Sequence, residues 1–276
     1  MTDSTGPVVL ITGASSGVGR TAGLELARRG FRVFIACRNR QKAEPVLKEL
    51  RAASNTGFGE LLELDLGDFD SIRACAKDFL ARGLPLNVLL NNAGVAGQRG
   101  LTRSGFELQF GTNHLGHFLF TNLLLPKLRE CAPSRVVAVS SESHYMAKGI
   151  PWEHLRESTP HFTGMPEYEV SKLCNVLHMR ELSKREGPKV AGYSVHPGRV
   201  NTEAWRRMPA PVMWLLRRTM FDDVRGCVAS VHAATAEGLE PGTFFWDDGK
   251  PRKPNPLALN DALAAELWKK SEEWTK

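Results

Sequence analysis

The chain has 276 residues, is 42% hydrophobic and 24% charged, and contains no run that approaches the roughly 18 apolar residues needed to span a membrane. Its formal net charge is +6, but the lysines and arginines are scattered rather than clustered with aromatic residues, which argues against nucleic-acid binding. The five cysteines are widely spaced without a C-x-x-C pair, and the segment before Pro7 is short and polar, so we expect a cytoplasmic protein with neither disulfides nor a signal peptide or N-terminal anchor.

The first predicted strand and helix enclose a glycine-rich turn. Val8 to Thr12 is a short β-branched run without alternation, as expected for a strand buried on both faces, and a helical pattern runs from Arg20 to Arg29. Between them, Gly13 permits a tight turn, Gly17 lets the backbone approach a pyrophosphate, and Gly19 allows close helix packing. A plain glycine-rich turn is the alternative, but the strand before it and the helix after it favour ligand binding.

The second predicted strand, Phe31 to Ala36, ends next to Arg38. In a dinucleotide-binding fold the residue at this strand end meets the adenosine ribose, and an Asp or Glu there would accept the 2′-hydroxyl. Arg38 instead offers a fork of donors that suits a 2′-phosphate, which favours NADP over NAD. The alternative is a solvated arginine at the edge of a loop.

The remaining predicted elements continue the alternation of strands and helices. Further strands are predicted over 60–64, 86–90, 135–139, 190–195 and 243–246, and helices over 41–53, 71–81, 106–128 and 261–274, with another around Tyr168 that ends at Gly187. A strand about every thirty residues implies a parallel, doubly wound sheet. We therefore expect an α/β protein with a three-layer Rossmann fold, a seven-stranded parallel sheet and a single domain over 1–276.

Ligands of such a sheet collect at the C-terminal ends of its strands, where several polar motifs fall. These motifs are Asp65-Leu66, Asn91-Asn92-Ala93-Gly94, Ser140-Ser141, His196-Pro197-Gly198 and Val200-Asn201-Thr202. Asp65 could line an adenine pocket or could instead cap the next helix. His114 and His117 might suggest a metal, but no third ligand of suitable spacing accompanies them, so no metal site is predicted.

Tyr168 and Lys172 are four residues apart, so on a helix they lie on one face. A phenol normally keeps its proton to about pH 10, and a neighbouring cation favours the phenolate. Tyr168 could therefore act as an acid or a base nearer to neutral pH. Such pairs also occur on many solvated helix faces, so the pair alone is weak evidence.

Taken in order along the chain, these motifs resemble the short-chain dehydrogenase/reductase family. The matching segments are Thr12-Gly13-x-x-x-Gly17-x-Gly19, Asn91-Asn92-Ala93-Gly94, Asn113, Ser141, Tyr168-x-x-x-Lys172 and Pro197-Gly198. The branch that holds the retinol dehydrogenases, the WW-domain oxidoreductase and the protochlorophyllide reductases is the most similar. Its resemblance rests on Ala36-Cys37-Arg38, on 112–118, on 194–198 and on the long gap between Ser141 and Tyr168.

The resemblance implies hydride transfer between a nicotinamide cofactor and a carbonyl carbon, with Tyr168 as the acid or base. Alternation turns the hydroxyls of Ser140 and Ser141 to opposite sides of the strand, so only one can serve, and the resemblance implies that Ser141 holds the carbonyl oxygen. Lys172 would lower the pKa of Tyr168 and bind the nicotinamide ribose, and Asn113 would hold a water beside Lys172. The implied NADP(H)-binding residues are Thr12, Gly13, Ser15, Ser16, Gly17, Val18, Gly19, Arg38, Asp65, Leu66, Asn92, Ala93, Gly94, Tyr168, Lys172, Pro197, Gly198, Val200 and Thr202.

Two segments, 142–167 and 203–221, are expected to form the substrate pocket. The second interleaves apolar residues with arginines, which predicts a lid over the active site; the alternative is an interfacial helix that touches a membrane or a partner subunit. An apolar lid favours a bulky apolar substrate such as a retinoid or a steroid. The candidate substrate residues are Ser141, Ser143, Tyr145, Trp152, Trp205, Met208 and Trp214.

The predicted function is an NADP(H)-dependent oxidoreductase that interconverts an apolar aldehyde or ketone and its alcohol. Two alternatives stay open. One is a C=C double-bond reductase of the protochlorophyllide type, because 172–175 is similar to that branch, and the other is a non-catalytic NADP-binding regulatory protein. By analogy with the family, a homodimer or homotetramer could form through the long helices.

Overall fold

The fold is built on a single parallel sheet, seen in a computed structural model that describes residues 6–198, 200 and 223–276. Within these residues the strands are β1 (Val8–Thr12), β2 (Arg32–Cys37), β3 (Glu60–Glu63), β4 (Val88–Asn91), β5 (Ser134–Val139), β6 (Val190–Val195) and β7 (Phe244–Phe245). All pairings are parallel, in the order β3-β2-β1-β4-β5-β6-β7. The predicted α/β fold with a seven-stranded parallel sheet is confirmed.

Helices connect the strands. They are α1 (Gly17–Arg28), α2 (Arg40–Ala53), α3 (Phe69–Ala81), α4 (Leu108–Phe110), α5 (Gly116–Glu130), α6 (Met165–Glu186), α7 (Asp223–Gly226), α8 (Val228–Thr235) and α9 (Asp261–Trp274). A π-helical turn, Gly111–Leu115, joins α4 to α5, and short 3-10 turns occupy Glu142–Met146, Trp152–His154 and Pro256–Leu259. Among the helices described, none has the length and apolar character that crossing a membrane requires.

Both faces of the sheet are buried, as the apolar run of β1 requires. Val9 and Ile11 point to one side, where they pack with α1 and α2. Val8 and Leu10 point to the other side, where they pack with α3 and α5. Because successive side chains of a strand alternate between faces, one continuous apolar strand supplies both layers of the core.

The position of β1 creates the crevice in which ligands of such sheets bind. β1 lies between β2 and β4, so the sheet grows outward from β1 in both directions. The loops that follow β1 and β4 therefore diverge and leave space at the C-terminal ends of these strands. Within the described residues, the polar motifs noted in the sequence lie at the C-terminal ends of the strands, at this edge of the sheet.

The predicted helix over 106–128 differs from the structure at its start. The Glu107 carboxylate accepts the backbone N–H groups of Gln109 and Phe110, so this residue caps the helix, which begins at Leu108. The next turn, Gly111–Leu115, is π-helical before the α-helix resumes at Gly116. This irregularity falls on a segment that belongs to the functional site described below.

A buried aromatic cluster surrounds His178 where α5, α6 and α9 meet. The centroid of its ring lies 5.1 Å from that of Phe118, 5.6 Å from that of Trp268 and 5.7 Å from that of His114. Burial lowers the pKa of His178 to about 3, and no described residue forms a hydrogen bond with its Nε2. His178 therefore serves as a neutral ring in an apolar environment.

Replacing His178 by Phe should stabilise the protein, and more so in acid. Between about pH 6.5 and 3 the unfolded chain binds a proton at His178 that the folded chain does not, so wild-type stability falls as the pH falls through this window. We expect His178→Phe to raise the free energy of unfolding by on the order of 2 kcal/mol more at about pH 5 than at about pH 8. Urea unfolding at both pH values tests this, with exposed His154→Phe as the control, and an equal effect at both values would contradict it.

Candidate active site

The turn after β1 has a backbone that only glycine adopts easily. Gly13 and Gly17 have φ angles of 68° and 57°, in the left-handed region. A Cβ on Gly13 would lie 2.7 Å from the Cα of Ala93, and a Cβ on Gly19 would lie 2.3 Å from Nδ2 of Asn92. The turn is therefore packed against the segment after β4, and it brings the N-terminal end of α1 to the crevice, where backbone N–H groups favour an anion.

Asn92 and Thr12 fix this turn in place. Nδ2 of Asn92 donates to the carbonyl oxygens of Thr12, at 2.8 Å, and Gly13, at 3.2 Å. The Thr12 hydroxyl accepts the N–H groups of Asn92 and Ala93, each at 3.0 Å. Thr12 is fully buried and does not line the crevice. The Thr12 hydroxyl thus joins two loops behind the crevice, and a contact of Thr12 with the cofactor stays a prediction.

His117 connects the same hydroxyl to the π-helical turn. Its Nδ1 lies 2.9 Å from the carbonyl oxygen of Asn113, which can only accept, so Nδ1 carries the proton. Its Nε2 then accepts the hydroxyl proton of Thr12 at 2.8 Å. Burial lowers the pKa of His117 to about 4, which preserves this neutral tautomer. The nearby His114 instead pairs through Nε2 with the Ser271 hydroxyl at 3.1 Å, so the two rings have separate partners.

The side chain of Asn113 holds the loop after β4. Its Oδ1 accepts the N–H of Val95 at 2.8 Å, and its Nδ2 donates to the Val95 carbonyl at 2.9 Å and to the Ser171 hydroxyl at 3.0 Å. Asn113 is fully buried and does not line the crevice. The Asn113 side chain therefore positions backbone, and its expected role of holding a water beside Lys172 stays a prediction.

The two serines after β5 point in different directions. The Ser140 hydroxyl is buried and donates to the carbonyl oxygen of Lys172 at 2.8 Å. Ser141 lines the crevice together with Tyr168, and its hydroxyl donates to the Ser143 hydroxyl at 3.2 Å and accepts the N–H of Ser143 at 3.1 Å. Of the two hydroxyls, the structure thus places that of Ser141 beside the phenol, as the alternation of a strand predicts.

Tyr168 and Lys172 lie on one face of α6, with Nζ of Lys172 5.5 Å from the centroid of the tyrosine ring. Burial raises the pKa of Tyr168 to about 12, although the hydrogen bond with Ser141 lowers it in part. Burial also lowers the pKa of Lys172 to about 8. The expected lowering of the Tyr168 pKa by Lys172 is not found: loss of hydration is the largest cause of the raised pKa, and the charge of Glu142 raises it further. At neutral pH the phenol is protonated and the amine is mostly charged.

Most of the predicted site residues line one crevice of about 630 Å³. They are Gly13, Ser15, Ser16, Gly17, Val18, Gly19, Arg38, Asp65, Leu66, Asn92, Ala93, Gly94, Ser141, Ser143, Tyr168, Lys172, Pro197, Gly198 and Val200. The sequence analysis did not single out Asn39, Lys42, Gln98 or Thr112, which also line it. The predicted residues Thr202, Trp205, Met208 and Trp214, and the proposed lid over 203–221, lie outside the described residues.

Arg38 and Asp65 form the rim of the crevice where β2 and β3 end. Nη1 of Arg38 lies 3.7 Å from Oδ2 of Asp65, and the Arg38 side chain is 71% exposed. Oδ1 of Asp65 accepts the N–H of Gly67 at 3.0 Å. The alternative that Asp65 caps the next helix is wrong, because Asp68 caps α3 and the helix begins at Phe69. Asp65 is left to face Arg38 across the rim.

Two predicted substrate residues do not line the crevice. The Tyr145 hydroxyl donates to the carbonyl oxygen of Lys253 at 2.6 Å. The ring of Trp152 lies 6.3 Å from that of Trp274 and 5.2 Å from Nζ of Lys270. Both side chains pack on the C-terminal part of the chain, and their contact with a substrate stays a prediction.

His144 positions Ser141, a role that the sequence analysis missed. Its Nε2 accepts the backbone N–H of Asn255 at 3.1 Å, so its Nδ1 carries the proton and donates to the Ser141 carbonyl at 2.6 Å. Nδ2 of Asn255 donates to the carbonyl oxygens of His144 and Ala147, at 2.9 and 3.1 Å. The loop that carries Asn255 thus fixes the turn after Ser141. The 111-residue separation of the two partners leaves no local signal in the sequence.

Comparisons with known proteins agree with this geometry. A family model described as short chain dehydrogenase matches residues 7–153. The chain is 44% identical over 274 residues to human retinol dehydrogenase 12, covering 97% of this chain and 86% of that protein. It is 42% identical over 269 residues to human retinol dehydrogenase 11, covering 95% and 84%. A crystal structure of an uncharacterized protein from Mycobacterium paratuberculosis aligns with a TM-score of 0.78 and 34% identity over 100% of this chain and 97% of that chain.

Replacing Lys172 by Met should stabilise the fold at neutral pH. The folded-state pKa of Lys172 is about 8 and the ordinary value is 10.5, so below pH 8 the folded chain bears the full cost of a buried charge. Between these values the unfolded chain binds more protons, so wild-type stability rises with pH. The Val139 carbonyl keeps a donor in Asn175, at 3.1 Å.

We expect Lys172→Met to raise the free energy of unfolding at about pH 7 by on the order of 3 kcal/mol, an advantage that shrinks toward about pH 10. Chemical denaturation at the two pH values measures the difference. Exposed Lys184→Met controls for loss of a surface amine. A destabilised variant at both values would show that the amine is a net stabilising group.

Proposed function

Because this chain belongs to the short-chain dehydrogenase/reductase family, we propose that it is an NADP(H)-dependent enzyme that interconverts an apolar aldehyde or ketone and its alcohol. Membership of this family makes the chain an oxidoreductase that uses a nicotinamide cofactor. What we propose beyond this is the preference for NADP, the substrate class and the role of the tyrosine. The observation that carries the proposal is that Ser141, Tyr168 and Lys172 line one crevice, with Nζ of Lys172 5.5 Å from the centroid of the Tyr168 ring.

The residues present in the crevice fit a nicotinamide dinucleotide. The turn at Gly13 and Gly17 and the start of α1 form a cradle without side chains, in which backbone N–H groups hold a pyrophosphate. Tyr168 and Lys172, which line the same crevice, hold the nicotinamide ribose. When bound, such a cofactor supplies a hydride to the substrate carbon or accepts one from it.

Tyr168 donates a proton to the substrate oxygen during reduction. Burial keeps the phenol protonated at neutral pH, so it is ready as an acid. The Ser141 hydroxyl holds the same oxygen and shares the negative charge that develops on it. The ammonium group of Lys172 stabilises the phenolate that the transfer leaves behind.

Arg38 supports NADP as the cofactor. The Arg38 side chain is 71% exposed at the rim, and its guanidinium group pairs only loosely with Asp65, at 3.7 Å. A 2′-phosphate can therefore bind beside the guanidinium group. Lys42 lines the same crevice and adds a second positive charge. A dinucleotide without the 2′-phosphate offers these cations no anionic partner at this end.

The substrate class is supported by the two human relatives, both of which are named retinol dehydrogenases. A serine hydroxyl beside the tyrosine supports carbonyl chemistry rather than C=C reduction, and an intact Ser141, Tyr168 and Lys172 set supports turnover rather than a purely regulatory role. All five cysteines are free, which supports a reducing, cytoplasmic location. We further propose that the chain forms a single domain with a lid over 203–221 and that it assembles into a dimer or tetramer.

Substituting Tyr168 by Phe tests the acid directly. Without the hydroxyl no proton can be donated, so we expect NADPH-dependent reduction of an apolar aldehyde to fall by about 10²- to 10⁴-fold while NADPH affinity stays within about twofold. Fluorescence titration measures the affinity, and a steady-state assay measures turnover. Tyr193→Phe is the matched control, because its hydroxyl donates to the Leu239 carbonyl outside the crevice. Unchanged turnover in Tyr168→Phe would refute the assignment.

Reversing the charge at Arg38 tests the cofactor preference. A carboxylate there repels a 2′-phosphate and can accept a ribose hydroxyl, so we expect Arg38→Asp to shift the ratio of kcat/KM for NADPH over NADH by about 10²-fold toward NADH. Arg40→Asp makes the same charge change at an arginine outside the crevice, which pairs with Glu44. If both variants change the ratio equally, the effect is one of net charge and the proposed 2′-phosphate site is wrong.

A further inference from the structure

Gln98 is a buried polar side chain in the crevice that the proposed chemistry does not use. The residue is 8% exposed and lines the crevice together with Ser141 and Tyr168. Among residues 6–198, 200 and 223–276, none forms a hydrogen bond with its side-chain amide. An amide offers one acceptor and two donor hydrogens, and those of Gln98 are not sealed within the protein, so a ligand in the crevice can reach them. A side chain of this kind indicates a polar partner within the crevice.

The backbone that carries Gln98 is held rigidly. The loop after β4 is fixed at Val95, whose N–H and carbonyl both bond to the Asn113 side chain. It is fixed again at Gly97, whose N–H donates to Oε1 of Gln109 at 3.1 Å. Nε2 of Gln109 donates to the carbonyl oxygen of Gly164. A side chain presented from a loop fixed in this way can discriminate between ligands, because little of its binding energy is spent on ordering the loop.

Contacts with Gly164 place Gln98 at the end of the crevice where the proposed chemistry occurs. A Cβ on Gly164 would lie 3.1 Å from the carbonyl oxygen of Gln98. The carbonyl of Gly164 in turn accepts the N–H of Tyr168 at 3.2 Å, at the start of α6. Side chains on a helix lean toward its N-terminus, so Tyr168 leans toward the turn that Gln98 contacts. Arg38 and Asp65 mark the opposite, adenosine end.

We propose that Gln98 determines specificity by hydrogen-bonding a second oxygen-bearing group of the substrate, separate from the carbonyl that reacts. The inference rests on the proposed function and makes its substrate class narrower. The preferred substrate is a carbonyl compound that also carries a hydroxyl or keto group, rather than a pure hydrocarbon aldehyde. Either group satisfies an amide, because the side chain both donates and accepts.

Matched substrates test this inference. The probes are straight-chain aldehydes from hexanal to dodecanal, each paired with the ω-hydroxy aldehyde of the same length, so that the position of the second oxygen is scanned. For wild type, kcat/KM with NADPH is measured for both members of each pair. The same ratios are measured for Gln98→Met, which keeps the length of the side chain and removes its hydrogen bonds. Gln41→Met, the same change at an exposed site outside the crevice, is the control.

We expect wild type to prefer the hydroxy aldehyde by about tenfold at one or more lengths, and Gln98→Met to lose that preference. Ratios near one for wild type at every length, or a preference that persists in Gln98→Met, would overturn the inference and leave the reductase activity standing. A tenfold loss of NADPH affinity in Gln98→Met with an unchanged ratio would assign Gln98 to the cofactor and also overturn it. If wild type binds NADPH but reduces no aldehyde, the proposed function itself fails, and this inference with it.

Discussion

The hydroxyl of Thr12 is the point on which the arrangement of the crevice depends. It accepts the N–H groups of Asn92 and Ala93 and donates to the neutral ring of His117, which in turn donates to the carbonyl of Asn113. These bonds join the glycine-rich turn after β1, the loop after β4 and the π-helical turn before α5. Each buried polar group left unpaired costs about 1–3 kcal/mol, so the three segments are held in one relative position.

Burial determines the protonation states of Tyr168 and Lys172 in the crevice. The hydroxyl of Tyr168 and the amine of Lys172 are both removed from water, which raises the pKa of the phenol to about 12 and lowers that of the amine to about 8. Both shifts favour the neutral forms. The phenol enters the reaction as an acid, and the amine remains mostly charged at neutral pH. The fold thus determines both the position of the acid and its protonated state at neutral pH.

The parts of this structure that the sequence predicted are those with local signals. Buried β-branched runs and glycines at fixed spacing predicted the parallel sheet and the turn at Gly13, because backbone conformation and strand burial depend on nearby residues. The hydrogen bonds of Thr12 and Asn113 that join the loops were not predicted, because their side chains contact partners about 18 to 105 positions away. Gln98 belongs to no recognisable sequence motif, and its position in the crevice follows only from the packing of its loop against Gly164.

Transfer of deuterium from NADPH to an α,β-unsaturated aldehyde tests the central claim most directly. The protein is supplied with cinnamaldehyde and with NADPH that carries deuterium at both positions of the carbon that gives up hydride, and the product is analysed by mass spectrometry and NMR. The account predicts cinnamyl alcohol with one deuterium on the carbinol carbon, because Ser141 and Tyr168 act on the carbonyl oxygen. Deuterium on the β-carbon of a saturated aldehyde, or no transfer despite tight NADPH binding, would contradict it.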